Sequence, residues 1–148
     1  MNKKYEPLFE PITLGNGVDV ANRFAMAPML VFASEENGSV GEEDYEYFGL
    51  IITGAAAVSE EGLGMINQLT VYDDEKVPGL KKLANIIKDK GNKAIMQLHN
   101  AGREALGAYQ RYGKVFAPSS INFPFLDYVP EELSHVQILS IIDDYGQA

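Results

Sequence analysis

Residues 73–98 read DDEKVPGLKKLANIIKDKGNKAIMQL, and this stretch decides the fold. Asp73, Asp74 and Glu75 supply an N-cap and negative charge where the helix dipole favours it, and Pro78 suits a first turn. Leu80, Leu83, Ala84 and Ile87 repeat at i, i+3, i+4 and i+7, one buried face of an amphipathic helix. Lys88 and Lys90 stand in the last turn, and Gly91 ends it. Lys93–Leu98 (KAIMQL) is then the next strand. Upstream, Leu50–Thr53 (LIIT) is a continuous, largely β-branched run, as expected of a strand covered on both faces in a parallel sheet. Strand, helix and strand in that order imply a right-handed βαβ crossover.

Outward from this unit, the chain offers a hairpin first. Ile12–Leu14 and Val18–Val20 flank Asn16-Gly17, which suits a type I′ turn. Arg23–Met29 (RFAMAPM) reads as a short buried strand that stops at Pro28, since proline donates nothing to a ladder. Leu30–Val40 is a loop with Asn37-Gly38 as its turn, and Glu42–Phe48 forms two helical turns. Gly54–Gly64 is small and acidic, hence a loop. Gly102–Pro130 is a long connection, expected to be functional or to carry a small hairpin. Ser134 and Gln137 form a capping box, with Leu133 able to staple onto Ile138. Ile138, Ile141, Ile142 and Tyr145 are the expected buried stripe of that last helix.

The order hairpin, β, α, β, α, β, loop, α leaves two architectures open. One is a small open α/β domain. The other is the N-terminal portion of a (β/α)8 barrel, about three βα units (21–148) preceded by the hairpin (8–20); the uncapped end favours it. Phe48 passes to Gly49 and the next strand with essentially one loop residue, which reads as a shortened crossover.

Composition bounds the function. The 148 residues hold 12 Lys and Arg against 21 Asp and Glu, a net charge of −9, and no Cys. An acidic chain is a poor partner for nucleic acid or anionic membrane. Disulfides, thiolate zinc sites and cysteine nucleophiles are excluded. No membrane span and no secretory leader is legible, so a cytoplasmic location is expected. His99 and His135 lack a metal-ligand pattern and read as packed or solvated, and no metal site is expected. Ser119-Ser120 has no partnered base.

In parallel α/β folds ligands bind at the carboxyl ends of strands. Three such tips carry the candidate residues. Ala27-Pro28-Met29 offers fixed backbone with little bulk. Gly54–Ala57 lets a flat ligand lie against the main chain. Gln97 is a neutral amide that both donates and accepts. A planar heterocycle with alternating carbonyl and N–H edges uses all three.

Six ordered segments resemble one known family. They are Leu8–Gly15 (LFEPITLG), Asn22-Arg23, Met26–Met29 (MAPM), Gly49–Thr53 (GLIIT), Gln97–Arg103 (QLHNAGR) and Ala117–Ser119 (APS). Together they are similar to the first part of the old yellow enzymes. The resemblance implies an FMN-dependent, NAD(P)H-oxidising ene-reductase on a (β/α)8 barrel, with a small activated alkene as substrate and the hairpin closing the barrel's bottom; the unpaired strand edges of a partial barrel lead to an expected homo-oligomer. It implies flavin contacts at Ala27, Pro28, Met29, Leu30, Ala55 and Gln97, and a substrate contact at Phe32, where relatives carry Tyr. Leu30 replaces a hydrogen-bonding Thr or Cys, and Asn100 stands where some relatives have His. The family's substrate-anchoring pair, flavin-contacting Arg and phosphate loops fall beyond Ala148, so no catalytic residue is assigned. No glycine-rich phosphate cradle precedes a helix, so weak FMN binding and impaired activity are expected of this chain. The alternative is a non-catalytic α/β half-barrel serving binding or assembly.

Overall fold

The structure, a computed structural model, describes residues 2–47, 52–89 and 91–148. A 3-10 turn at Lys3–Phe9 leads into an antiparallel hairpin, β1 (Ile12–Thr13) and β2 (Asp19–Val20), with Ile12 opposite Val20. Its turn differs from the type I′ expectation. Of its residues only Gly17 has positive φ (+82°), while Gly17 N–H bonds the Leu14 carbonyl and Leu14 N–H the Val18 carbonyl. Those contacts make a three-residue loop in which Gly17 alone takes the left-handed position.

The central unit is the expected βαβ crossover. β3 (Ile52–Ala57) pairs in parallel with β4 (Ile95–His99), and α2 (Val77–Asp89) connects them. The preceding helix, α1, spans Glu42–Tyr47, its first turn fastened by Asp44 Oδ2 accepting the Gly41 N–H at 2.9 Å. Asp73 caps the Glu75 N–H at 2.9 Å, a 3-10 turn at Asp74–Lys76 follows, and the chain then winds into α2. Leu83 and Ile87 are fully buried, with Val31, Val40, Tyr45 and Ala94 packed on them. Gly91 breaks the helix with φ +80°.

The last third builds a second packed layer: α3 (Leu106–Tyr112), β5 (Phe116–Ala117), β6 (Glu131–Glu132) and α4 (His135–Gln147). β5 and β6 pair in parallel. Ala105, Ala108, Val115 and Tyr128 form its core, with Tyr109 stacked on Tyr128 at 4.2 Å. The Ser134–Gln137 capping box is present in both directions.

Four expectations need correction. Arg23–Met29 is not a strand: a strand is one row of a ladder, and this segment has no ladder partner among the described residues. The described residues therefore hold one parallel pair from the barrel where three successive strands were expected. Gly54–Ala57 is not loop but the second half of β3, because β4 continues alongside it and supplies the hydrogen bonds. The long connection contains helix α3 and a short parallel strand in place of a hairpin. The α4 stripe is not buried: Ile138, Ile142 and Tyr145 are exposed and only Ile141 is half-buried, since no layer among the described residues covers its outer face. The Phe48–Gly49 junction and Leu50-Ile51 lie outside the described residues.

Among the described residues the architecture is α/β, with β3–β4 and the short β5–β6 each paired in parallel and no closed barrel. The hairpin sits at the bottom of that pair. Ile12, Leu14 and Val20 share an apolar pocket of about 310 Å³ with Gly91–Lys93 and Ile95, which lie at the amino end of β4.

Candidate functional site

The carboxyl ends of β3 and β4 lie at Ala57 and His99, on the side opposite the hairpin. Parallel pairing places Ala55 beside Gln97, Ala56 beside Leu98 and Ala57 beside His99. Strand alternation sends Ala55, Ala57, Gln97 and His99 to one face of the pair. Ala55 is buried and brings no side chain beyond a methyl, whereas Gln97 is exposed, its amide without a hydrogen-bond partner among the described residues. That is a flat patch with one free amide beside it.

Beyond the strand tips a cleft opens, lined by Leu30, Gly64, Met65, His99, Asn100 and Phe123 among others. The loop after β3 forms its wall, and the buried side chain of Gln68 ties that loop to both strands. Gln68 accepts from the Gly64 N–H at 2.8 Å and the Met65 N–H at 3.4 Å through Oε1. Its Nε2 donates to the Ala55 carbonyl at 2.8 Å and faces His99 Nδ1 at 3.2 Å. Burial holds the His99 pKa below the ordinary 6.5, so the ring is neutral near pH 7. Asn100 turns back to accept the Gly102 N–H, and Ala101 N–H bonds the Gly62 carbonyl, which fixes the second wall.

The candidate residues are distributed unevenly. Leu30 lines the cleft, and Ala55 and Gln97 are adjacent just behind it. Ala27 and Met29 are exposed and Pro28 is half-buried, in an extended segment whose N–H groups at Ala27, Met29 and Leu30 make no backbone hydrogen bond among the described residues. Phe32 is 53% exposed and outside the cleft lining. Tyr109 is half-buried and stacked on Tyr128. Sequence reading missed Gln68 altogether and took His99 for a packed or solvated ring. Gln68 has partners 3, 4, 13 and 31 residues away, and the last two are ones that no local pattern displays.

A polar rim lies to one side. Tyr112 donates to Glu60, and that bond, ahead of burial, raises the Tyr112 pKa. Arg111 reaches the Glu36 carbonyl at 2.8 Å. No group of three metal-ligating side chains and no helix long and apolar enough to cross a membrane occurs among the described residues.

The model of the NADH:flavin oxidoreductase / NADH oxidase family matches residues 7–148. The chain belongs to that family. Flavin with a nicotinamide reductant is the cofactor pair of this family. The chain is 36% identical, over its full length, to a probable NADH-dependent flavin oxidoreductase (YqiG) of Bacillus subtilis, covering 41% of that protein. It is 32% identical over 95% of its length to the NADPH dehydrogenase of the same organism, covering 43% of it. The chain thus spans about two fifths of these curated relatives. The old yellow enzyme homologue from Zymomonas mobilis superposes with a TM-score of 0.82 at 26% identity, over 95% of this chain and 43% of that one. Morphinone reductase shares the fold, with a TM-score of 0.83 at 24% identity over 95% of this chain and 44% of its own. The partial α/β barrel inferred from the sequence is the arrangement these neighbours share with it.

The residues at the strand tips fit part of a flavin. The methyl-lined patch beside Ala55, the Gln97 amide and the N–H groups of Ala27, Met29 and Leu30, all without a partner among the described residues, match a flat ring with alternating donors and acceptors. The phosphate is not matched: the α3 start that borders the cleft has its Gly107 and Ala108 N–H groups bonded to the Gly64 and Leu63 carbonyls, and no Arg pair lines the cleft among the described residues.

Proposed function

We propose that this chain forms one wall of an FMN-dependent NAD(P)H oxidoreductase that reduces activated carbon–carbon double bonds. FMN, when bound, would supply two-electron hydride chemistry between NAD(P)H and an activated alkene, the second hydrogen of the reduced bond coming as a proton. The chain's own residues bind and orient. Ala55 keeps the ring's approach clear of bulk. Gln97 donates to and accepts from the polar pyrimidine edge. The main chain of Ala27, Pro28, Met29 and Leu30 runs along the ring, and Leu30 adds an apolar surface that cannot hydrogen-bond. Phe32 offers an aromatic face to the substrate. The single observation that carries this reading is the register that sets Ala55 beside Gln97 at the open ends of a parallel pair.

The missing phosphate cradle supports weak FMN binding and low turnover in this chain. It also favours a second reading, a non-catalytic half-barrel that serves assembly, and the exposed α4 face points the same way. Both readings carry a cytoplasmic, self-associating protein. Colour separates them: the enzyme reading expects yellow protein, or protein that turns yellow with added FMN. Protein that stays colourless at saturating FMN rejects it. Oxidation of NADPH with an enone, compared with a protein-free control, then tests turnover; equal rates reject the reductase.

A further inference from the structure

The hydrogen bonds around Gln68 fix more than a loop. Its Oε1 receives two N–H groups, and its Nε2 meets a carbonyl, so the amide orientation is dictated by chemistry: reversed, it would oppose donor to donor and acceptor to acceptor. The second Nε2 hydrogen is then aimed at His99 Nδ1. A nitrogen that accepts cannot carry the proton of a neutral ring, so the proton sits on Nε2. Nothing among the described residues accepts that Nε2–H. The ring lines the cleft, close by Gly64, where an added Cβ would come within 3.6 Å of Cε1. Glu104 is the other ionisable side chain lining this cleft.

We propose that Gln68 is a positioning residue that locks His99 in the Nε2–H tautomer, so that the cleft presents a neutral N–H donor to the carbonyl oxygen of a bound alkene. The ligand class rests on the functional reading above; the tautomer does not. A neutral donor suits a neutral carbonyl, because it adds polarity without importing a charge into a cleft walled by Leu30, Met65 and Phe123.

Long-range proton–nitrogen correlation spectra of the uniformly 15N-labelled 148-residue chain test this without flavin, with His135→Gln identifying the His99 signals. The expected wild-type pattern has an imine-like Nδ1 and a protonated Nε2. Gln68→Glu replaces a donor with an acceptor and should invert the pattern. Gln68→Met, which keeps length but removes both bonds, should mix the two tautomers, and it stands in should the buried carboxylate prevent folding. A wild-type proton on Nδ1, or a pattern unchanged in whichever variants fold, overturns the proposal. Adding 2-cyclohexenone to the wild-type chain should move the His99 Nε2–H resonance. No movement removes the donor role, whereas failure of the flavin reading shows separately, as colourless protein.

Discussion

Gln97 separates a binding role from a structural one unusually cleanly. Its amide is exposed and unpartnered, so Gln97→Ala should change folding stability by no more than about 0.5 kcal/mol. Against bound FMN the same deletion leaves the ring's polar edge unpaired and should weaken affinity by ~1–3 kcal/mol. Urea unfolding and FMN titration of the same variant check both halves; unchanged FMN affinity would reduce Gln97 to a bystander. His99 makes a pH prediction. Burial lowers its folded pKa below the unfolded 6.5, so below that pH the unfolded chain binds the proton more readily. Its contribution is present above pH 6.5 and is lost as pH falls toward the folded pKa. Asp44 has the opposite sign: burial, its largest influence, raises its carboxyl above 3.8, so stability falls as pH rises out of that range. The urea midpoint should therefore climb as pH rises toward 6.5 and level off above it, and His99→Gln should flatten the climb. A slope retained in that variant would assign it elsewhere.

At the level of elements, α2 is the strongest part of the structure and the part most plainly written in the sequence. Leu83→Ala and Ile87→Ala remove side chains with no exposed surface and should cost ~2–5 kcal/mol each. Asp73→Ala removes a cap and should cost ~0.5–2 kcal/mol. Thermal or urea denaturation measures all three, and a smaller loss at Leu83 than at Asp73 would contradict the packing described here. α2 could be read because its determinants are local: a cap, a 3.6-residue stripe and a closing glycine lie within one segment. The Ser134–Gln137 box was legible for the same reason. The burial of α4 was not, because a stripe at Ile138, Ile141, Ile142 and Tyr145 records only that the helix has an apolar side, not that anything covers it. Arg23–Met29 failed for a related reason, since apolar sequence supplies the faces of a strand but not its ladder partner. At the site, Ala55 and Gln97 were each visible as residue types, and pairing across the strands supplied the register that joins them. Gln68 had no such trace.

At the largest scale, the described residues present apolar surface that they do not themselves cover. Phe24, Met29, Phe32 and Ile95 are exposed, as are Val136, Leu139 and Ile142 along α4. Single exposed apolar side chains are ordinary, but an apolar helix face together with a parallel pair whose outer edge on β3 is bonded only at Ala57, to Leu69 and Val71, among the described residues favours association. The net charge of −9 opposes it by repulsion between copies. Repulsion between exposed charges is screened over about 8 Å at physiological salt, whereas apolar burial is not weakened by salt. The balance should therefore tip toward self-association as salt is raised. Sedimentation velocity of the 148-residue chain should show species larger than a monomer at micromolar concentration, their fraction growing with sodium chloride. Leu139→Gln combined with Ile142→Gln leaves the net charge and the Ser134–Gln137 cap in place while removing apolar area from α4, and should shift the distribution toward monomer. A wild-type chain that stays monomeric across the salt series would mean that these faces are covered within one copy, and the open-barrel description would have to give way.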